Sequence, residues 1–266
     1  RVAPPNTAVT QDLLLPIVRD ILGTVAQVGH SSVLCEGGDF SCLLMNAKGG
    51  AVAKAADNPG HIIPLPVSVR VAIDRFGDDI NPGDVIIIND PYSGGTHLND
   101  VAIVVPVFIG DELVMFPAIR AHWADVGGMT PGSLSGTATE IFQEGVRIPP
   151  IKIYDRGEPV TGVMDIIFSN MRIESERRGD LQAMIETCRT AEVRIKELVE
   201  KFSLGVLHET SSFLMDRTEA RMRRLIGDIP DGSYTFEDYL DASGNSEDPV
   251  LLRTCITVNG GDIAVD

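Results

Sequence analysis

Residues 85–128 constrain the fold more than any other stretch: VIIINDPYSGGTHLNDVAIVVPVFIGDELVMFPAIRAHWADVGG. Two apolar runs, Val101 to Phe108 and Leu113 to Ala118, are short, rich in β-branched residues and bounded by turn residues. They read as strand, turn, strand. With Gly110-Asp111 as a two-residue hairpin turn, Ile109 faces Glu112, Asp100 faces Ala121 and Asn99 faces His122. Two His-x-x-Asp pairs, His97/Asp100 and His122/Asp125, therefore arrive at the same open end of one hairpin, within reach of a single ion. Two imidazoles and a carboxylate suit Zn²⁺, Mn²⁺ or Fe²⁺ and suit Ca²⁺ poorly. Two other readings stay open: loop histidines that are only hydrogen-bonded structural groups, and a metal-free pair of His–Asp dyads doing general base work. His122 and Asp125 point to opposite faces of an extended strand. Asp125 is accordingly expected to orient a ligand imidazole or the attacking water rather than to bind the ion. The doublets Gly94-Gly95 and Gly127-Gly128 flank these residues; they either let backbone approach a substrate closely or only make turns.

Composition bounds the rest. The chain has 266 residues with 22 basic against 38 acidic side chains, a formal charge of −16, which disfavours a nucleic-acid or anionic-membrane surface. Its apolar runs are far shorter than a membrane span, and no charged segment followed by an apolar one suggests secretion. A cytoplasmic protein is expected. Cys35, Cys42, Cys188 and Cys255 are scattered, fit no zinc-knuckle spacing and read as free thiols.

Along the chain, residues 1–8, with Pro4 and Pro5, look like a loose leader. Apolar residues at 14, 17, 18, 21, 22 and 25 predict a helix, with Pro16 in its first turn. Val33 to Leu44 reads as a strand interrupted at Gly37-Gly38, Ala51 to Ala56 as a short strand, and 65–76 as a helix. Residues 129–150, rich in Gly, Ser, Thr and Pro, form a long loop whose Glu144 and Arg147 have site potential. Asp180 is a plausible N-cap for a long amphipathic helix that Gly205 interrupts, and a second helix covers about 207–226. From Gly232 the pattern turns to strands. The expected class is α+β: a mixed β-sheet metal-site domain over 1–178, an inserted helical hairpin over 179–227, and the start of a further β region over 228–266.

NDPYSGGTHLND, the VVPVF that follows it, AHWADVGG and the EGVRIPP of 144–150 resemble the hydantoinase B/oxoprolinase family, from about residue 7 to the C-terminus. Its members are subunits or domains of ATP-dependent cyclic-amide hydrolases such as N-methylhydantoinase, oxoprolinase and caprolactamase, with acetone and acetophenone carboxylases as relatives. The resemblance implies that Asp39, within Glu36-Gly37-Gly38-Asp39-Phe40-Ser41, joins His97, Asp100 and His122 as a metal ligand, with Glu36 as the close competitor. It assigns Asp100, not Asp125, to the metal. His61 stands where the family shows His-Gly-Ser near the reaction site. Here His61-Ile62-Ile63-Pro64 departs from that pattern, which leaves a catalytic His61 and a structural one both open. In this family the polypeptide continues past the equivalent of Asp266, so a C-terminal portion is expected beyond this sequence.

An absence completes the expectation. No G-x-x-x-x-G-K-[ST] phosphate loop, strand-linked G-x-G-x-x-G or G-x-S-x-G elbow occurs, so no nucleotide-binding residue is expected. The resemblance then implies one half of a hetero-oligomer. A partner of the hydantoinase A type takes ATP and Mg²⁺ and phosphorylates the carbonyl oxygen of a cyclic amide. The present chain, holding Zn or Mn, acts on the activated intermediate. Carboxylation of a ketone is the alternative, and a catalytically silent structural subunit is the second.

Overall fold

The computed structural model describes residues 7–54 and 58–266, with side chains described from residue 14. The leader expected over 1–8 falls largely outside the described residues, as does the end of the strand expected over Ala51 to Ala56. Helix α1 spans Thr7–Val28. Pro16 lies inside it rather than in its first turn. An interior proline costs a helix about 3 kcal/mol. Here Leu14, Val18, Ile21 and Val25 are buried almost completely, and that burial offsets the loss at about 1.5–3 kcal/mol per side chain.

The expected strand from Val33 starts as helix instead. Ser31 Oγ accepts from the Leu34 N–H and caps the single turn α2, Ser32–Cys35. Strand β1 follows at Phe40–Asn46 and β2 at Ala51–Lys54. The short α3 (Pro59–Ile62) and α4 (Leu65–Phe76) lead into β3, Val85–Ile88. Next come β4 (Asp100–Val104), β5 (Val107–Ile109), β6 (Glu112–His122), β7 (Ile151–Asp155) and β8 (Glu158–Pro159). Eight strands form one sheet in the order β2-β1-β6-β4-β3-β7-β8, with β5 beside β6. Every pairing among them is antiparallel, so the sheet holds no parallel pair. Parallel neighbours need a crossover connection, and among the described residues the α-helical connection between sheet strands, α3–α4, joins β2 to β3, which are not neighbours.

Strand alternation divides the core in two. Phe40, Cys42, Leu44, Val101, Ile103, Ile119 and Ala121 face a layer that contains α1 and the long helix α6, Glu174–Phe202. Leu43, Met45, Ala102, Val104, Phe116 and Ala118 face α3 and α4. By the same parity Asp39, Asp100, Arg120 and His122 belong to the α3–α4 face. After β8 come α5 (Thr161–Ser169), α6 and α7 (Leu204–Gly227).

Helix α6 starts six residues before Asp180, which is therefore interior and not its N-cap. Its carboxylate instead accepts from the backbone N–H groups of His30 and Ser31 at 2.8 and 2.9 Å, fastening the end of α1. The break between α6 and α7 falls at Ser203 (φ 81°), two residues before Gly205. Strands β9 (Gly232–Leu240), β10 (Val250–Asn259) and β11 (Asp262–Val265) form a separate antiparallel sheet. Cys35, Cys188 and Cys255 are free thiols. No helix among the described residues is long and apolar enough to cross a membrane.

Candidate metal centre

The hairpin forms at Gly110-Asp111 as its turn chemistry dictates: Gly110 takes φ 60° and Ile109 faces Glu112. Its register then departs from expectation. A bulge between Val107 and Phe108 slips the pairing by one residue, so Asp100 faces His122 and Val101 faces Ala121. An extra residue on one strand changes the partner of everything beyond it. The slip brings Asp100 and His122 onto the same face as direct neighbours, where the unbulged hairpin would have set Asp100 against alanine.

His97, Asp100 and His122 each offer a donor atom within 4.8 Å of the other two. Asp100 Oδ1 lies 2.9 Å from His97 Nε2, 3.4 Å from His122 Nδ1 and 3.3 Å from His61 Nε2. The two rings of His97 and His122 sit 5.0 Å apart, tilted by 42°. Asp39 stands at the edge, its Oδ1 3.6 Å from His61 Nε2 and its Oδ2 4.0 Å from His122 Nδ1. Its backbone carbonyl accepts from the His122 N–H, and Asn58 Nδ2 donates to its Oδ1. Glu36, the competitor, is exposed at the end of α2 and pairs with none of these groups. Buried His61 joins the cluster from α3.

Polar satisfaction tests whether this set fits a cation. Asp100 Oδ1 is buried and faces three imidazole nitrogens, yet none of them meets hydrogen-bond geometry with it. His61 Nδ1 is likewise buried without a partner. A buried carboxylate oxygen left so is costly, and a shared divalent ion satisfies it together with the ring nitrogens. The set fits. Burial alone raises the Asp100 pKa, but His122, His61, His97 and the Thr96 hydroxyl outweigh it and hold the carboxyl far below its usual range. The neighbouring Asp100 carboxylate raises the His97 pKa, and burial opposes it. A cation binds the neutral imidazole, so loading strengthens as pH rises and releases a proton.

Sequence reasoning missed several residues here. Thr96 Oγ1 donates to Asp100 Oδ2 at 2.5 Å. Arg120, fully buried below His122, donates through Nη2 to Ser68 Oγ and to the Gly94 carbonyl, while its Nε and Nη1 have no partner. Burial lowers its pKa to about 10 with Asp100 opposing, so it keeps its charge at neutral pH. A charged residue two places before His122 in an apolar strand was the legible signal.

Two expectations are corrected. Asp125 does not orient an imidazole: its Oδ1 accepts from the Gly127 N–H and its Oδ2 from the Gly132 N–H. Arg172 donates to it as well, from its backbone N–H and from Nη1. The chain bends after β6, and the carboxylate is committed to organising that loop. The four glycines also meet protein rather than open space. A Cβ on Gly95 would lie 2.4 Å from the Asn89 carbonyl oxygen, and one on Gly128 (φ 84°) 2.6 Å from the Glu144 backbone. A Cβ on Gly127 (φ 90°) would lie 2.5 Å from the Asn170 carbonyl oxygen, and one on Gly94 (φ 90°) 3.1 Å from the Ser68 backbone. Gly128→Ala is expected to lower stability by about 1–3 kcal/mol in denaturant unfolding. A glycine kept for substrate would instead leave stability unchanged and raise KM.

The hydantoinase B/oxoprolinase family model matches residues 4–266. A relative from Pseudomonas sp. (strain NS671), described as the B-type subunit of a D-/L-hydantoinase, is 35% identical over 251 residues, covering 91% of this chain and 42% of the relative. The crystal structure of ATP-dependent caprolactamase from Pseudomonas jessenii superposes with a TM-score of 0.89 at 28% identity, covering 100% of this chain and 46% of that one. A nucleotide-free acetone carboxylase structure gives 0.87 at 16% identity, covering 97% and 36%, a likeness of fold. The chain thus spans less than half the length of each.

Proposed function

Because the chain belongs to the hydantoinase B/oxoprolinase family, we propose that it is the metal-dependent component of an ATP-dependent cyclic-amide hydrolase. Its substrate is a ring amide that a hydantoinase A-type partner has phosphorylated on the carbonyl oxygen. One observation carries this reading: an unsatisfied, buried Asp100 oxygen at the meeting point of His97, His122 and His61. Asp39, His97, Asp100 and His122 would hold a Zn²⁺ or Mn²⁺ ion, which supplies Lewis-acid polarisation of the activated carbon. His61 turns its Nε2 toward both carboxylates and keeps them oriented, and Thr96 holds the second Asp100 oxygen. The half-exposed His97 marks the side from which substrate enters. ATP and Mg²⁺ belong to the partner, since the sequence carries no phosphate loop. A relative that is one subunit of an enzyme supports a hetero-oligomer, and a need for ATP supports the cytoplasm as its compartment.

Elemental analysis of the protein purified with its partner should find about one equivalent of Zn or Mn per chain. Alone, the chain should neither bind nor hydrolyse ATP, and cyclic-amide turnover should need partner and ATP together. Substantial ATP hydrolysis by the chain alone, or a metal-free active complex, would sink the proposal. Turnover lost on removal of the metal from a complex that stays assembled rules out a silent structural role. A strict requirement for bicarbonate and a ketone would assign the carboxylase reading instead, which at present rests on likeness of fold.

A further inference from the structure

The loops 91–99 and 129–150 contain one Lys or Arg between them, Arg147, in a chain of net charge −16. Its guanidinium carbon lies 6.0 Å from the centroid of the Tyr92 ring and 5.7 Å from that of Phe142. Both rings are strongly exposed, 77% and 72%, so they bury little of their own surface by holding it. Arg147 donates no hydrogen bond among the described residues; its nearest anion is Asp90 Oδ2, 3.8 Å from Nε. That carboxylate already accepts from the Tyr92 N–H and from Ser93 Oγ. Arg172 makes the contrast, with its guanidinium spent on Asp125, Gly127, Gly128 and Thr130.

The position of Arg147 relative to the candidate centre is set by one buried side chain. Asn89 Nδ2 donates to the carbonyls of Leu98 and Val146 at 2.7 and 2.9 Å, and Asn89 Oδ1 accepts from the Ile148 N–H at 2.6 Å. Both neighbours of Arg147 and the neighbour of His97 are thus fastened to the same residue. A guanidinium within cation–π range of two aromatic rings, whose N–H groups no acceptor among the described residues takes, is a fork suited to a carboxylate or phosphate.

We propose that Arg147, held between Tyr92 and Phe142, is an oxyanion-recognition site beside the centre formed by His97, Asp100 and His122. It takes a phosphoryl group or a carboxylate carried by the substrate. Only the identity of the substrate rests on the hydrolase reading; the binding of an oxyanion does not.

The test titrates inorganic phosphate, and acetate in parallel, into the full-length protein after chelation, so that no metal contributes to anion binding. Arg147→Met is expected to weaken binding about tenfold or more, Arg147→Lys to restore part of it, and Tyr92→Leu with Phe142→Leu to lose an intermediate amount. Metal content measured on unchelated samples should be the same in all. Preference for phosphate assigns a phosphoryl ligand and preference for acetate a carboxylate; either supports the site. Equal binding by wild type and Arg147→Met, or binding of neither anion, overturns it. Arg147-dependent binding in a protein whose unchelated, as-purified samples contain no metal would overturn the hydrolase reading while leaving this one intact.

Discussion

Asp100→Asn is expected to yield a folded protein that no longer retains metal. Three ring nitrogens lie within 3.4 Å of Asp100 Oδ1, and an amide there offers them no negative charge. Loss of a residue that only supports a metal ligand costs about 10–100-fold in affinity, and loss of the carboxylate itself should exceed that range. His97→Ala should behave alike, since the hairpin is built by its apolar strands and not by the histidine. The wild-type carboxyl is held far below its usual range, against burial, by His122, His61, His97 and Thr96. A depressed folded pKa means that this stabilisation is present above the ordinary carboxylate pKa and is lost as pH falls through the folded value. The asparagine variant should lack it at neutral pH, so chelated samples should unfold more easily than chelated wild type. Metal titration decides the case: unchanged affinity in Asp100→Asn would remove Asp100 from the site.

Asp125→Ala should do the converse, keeping metal while losing stability. Its two oxygens take the N–H groups of Gly127 and Gly132 and bind Arg172 through the backbone and the guanidinium. Removing a buried acceptor of charged and backbone donors costs about 2–4 kcal/mol, with Arg172, 40% exposed, counted at a discount. Thermal unfolding should drop by several degrees. Burial opposes ionisation of Asp125, but those backbone donors and Arg172 prevail and lower its pKa, so the contribution disappears only as pH falls through the acid range. If Asp125→Ala were as metal-free as Asp100→Asn, its assignment to the loop would be wrong.

The sequence alone was enough for the hairpin, for its turn at Gly110-Asp111, and for the convergence of His97, Asp100 and His122. Each depends on local chemistry: β-branched runs, a glycine that accepts positive φ, and the distance of the three residues from the turn on its two sides. The membership of the family was equally legible, because NDPYSGGTHLND and AHWADVGG are runs too long to match a family by chance. Tertiary structure decided what local chemistry leaves open. The bulge at Val107/Phe108 depends on how β4 and β5 both fit along β6, and it alone sets Asp100 against His122 rather than Ala121. Asp125 and Asp180 read as a site residue and a helix cap because their partners, Arg172 and the backbone of His30 and Ser31, are 47 and about 150 residues away. Pro16 sits inside a helix because burial of one face outweighs a local penalty. His61 reaches the cluster only when α3 packs on β1 and β6. A carboxylate or an imidazole carries no mark of its partner in its own segment; the packing of distant chain chooses that partner, by which unsatisfied donor it brings within three ångströms.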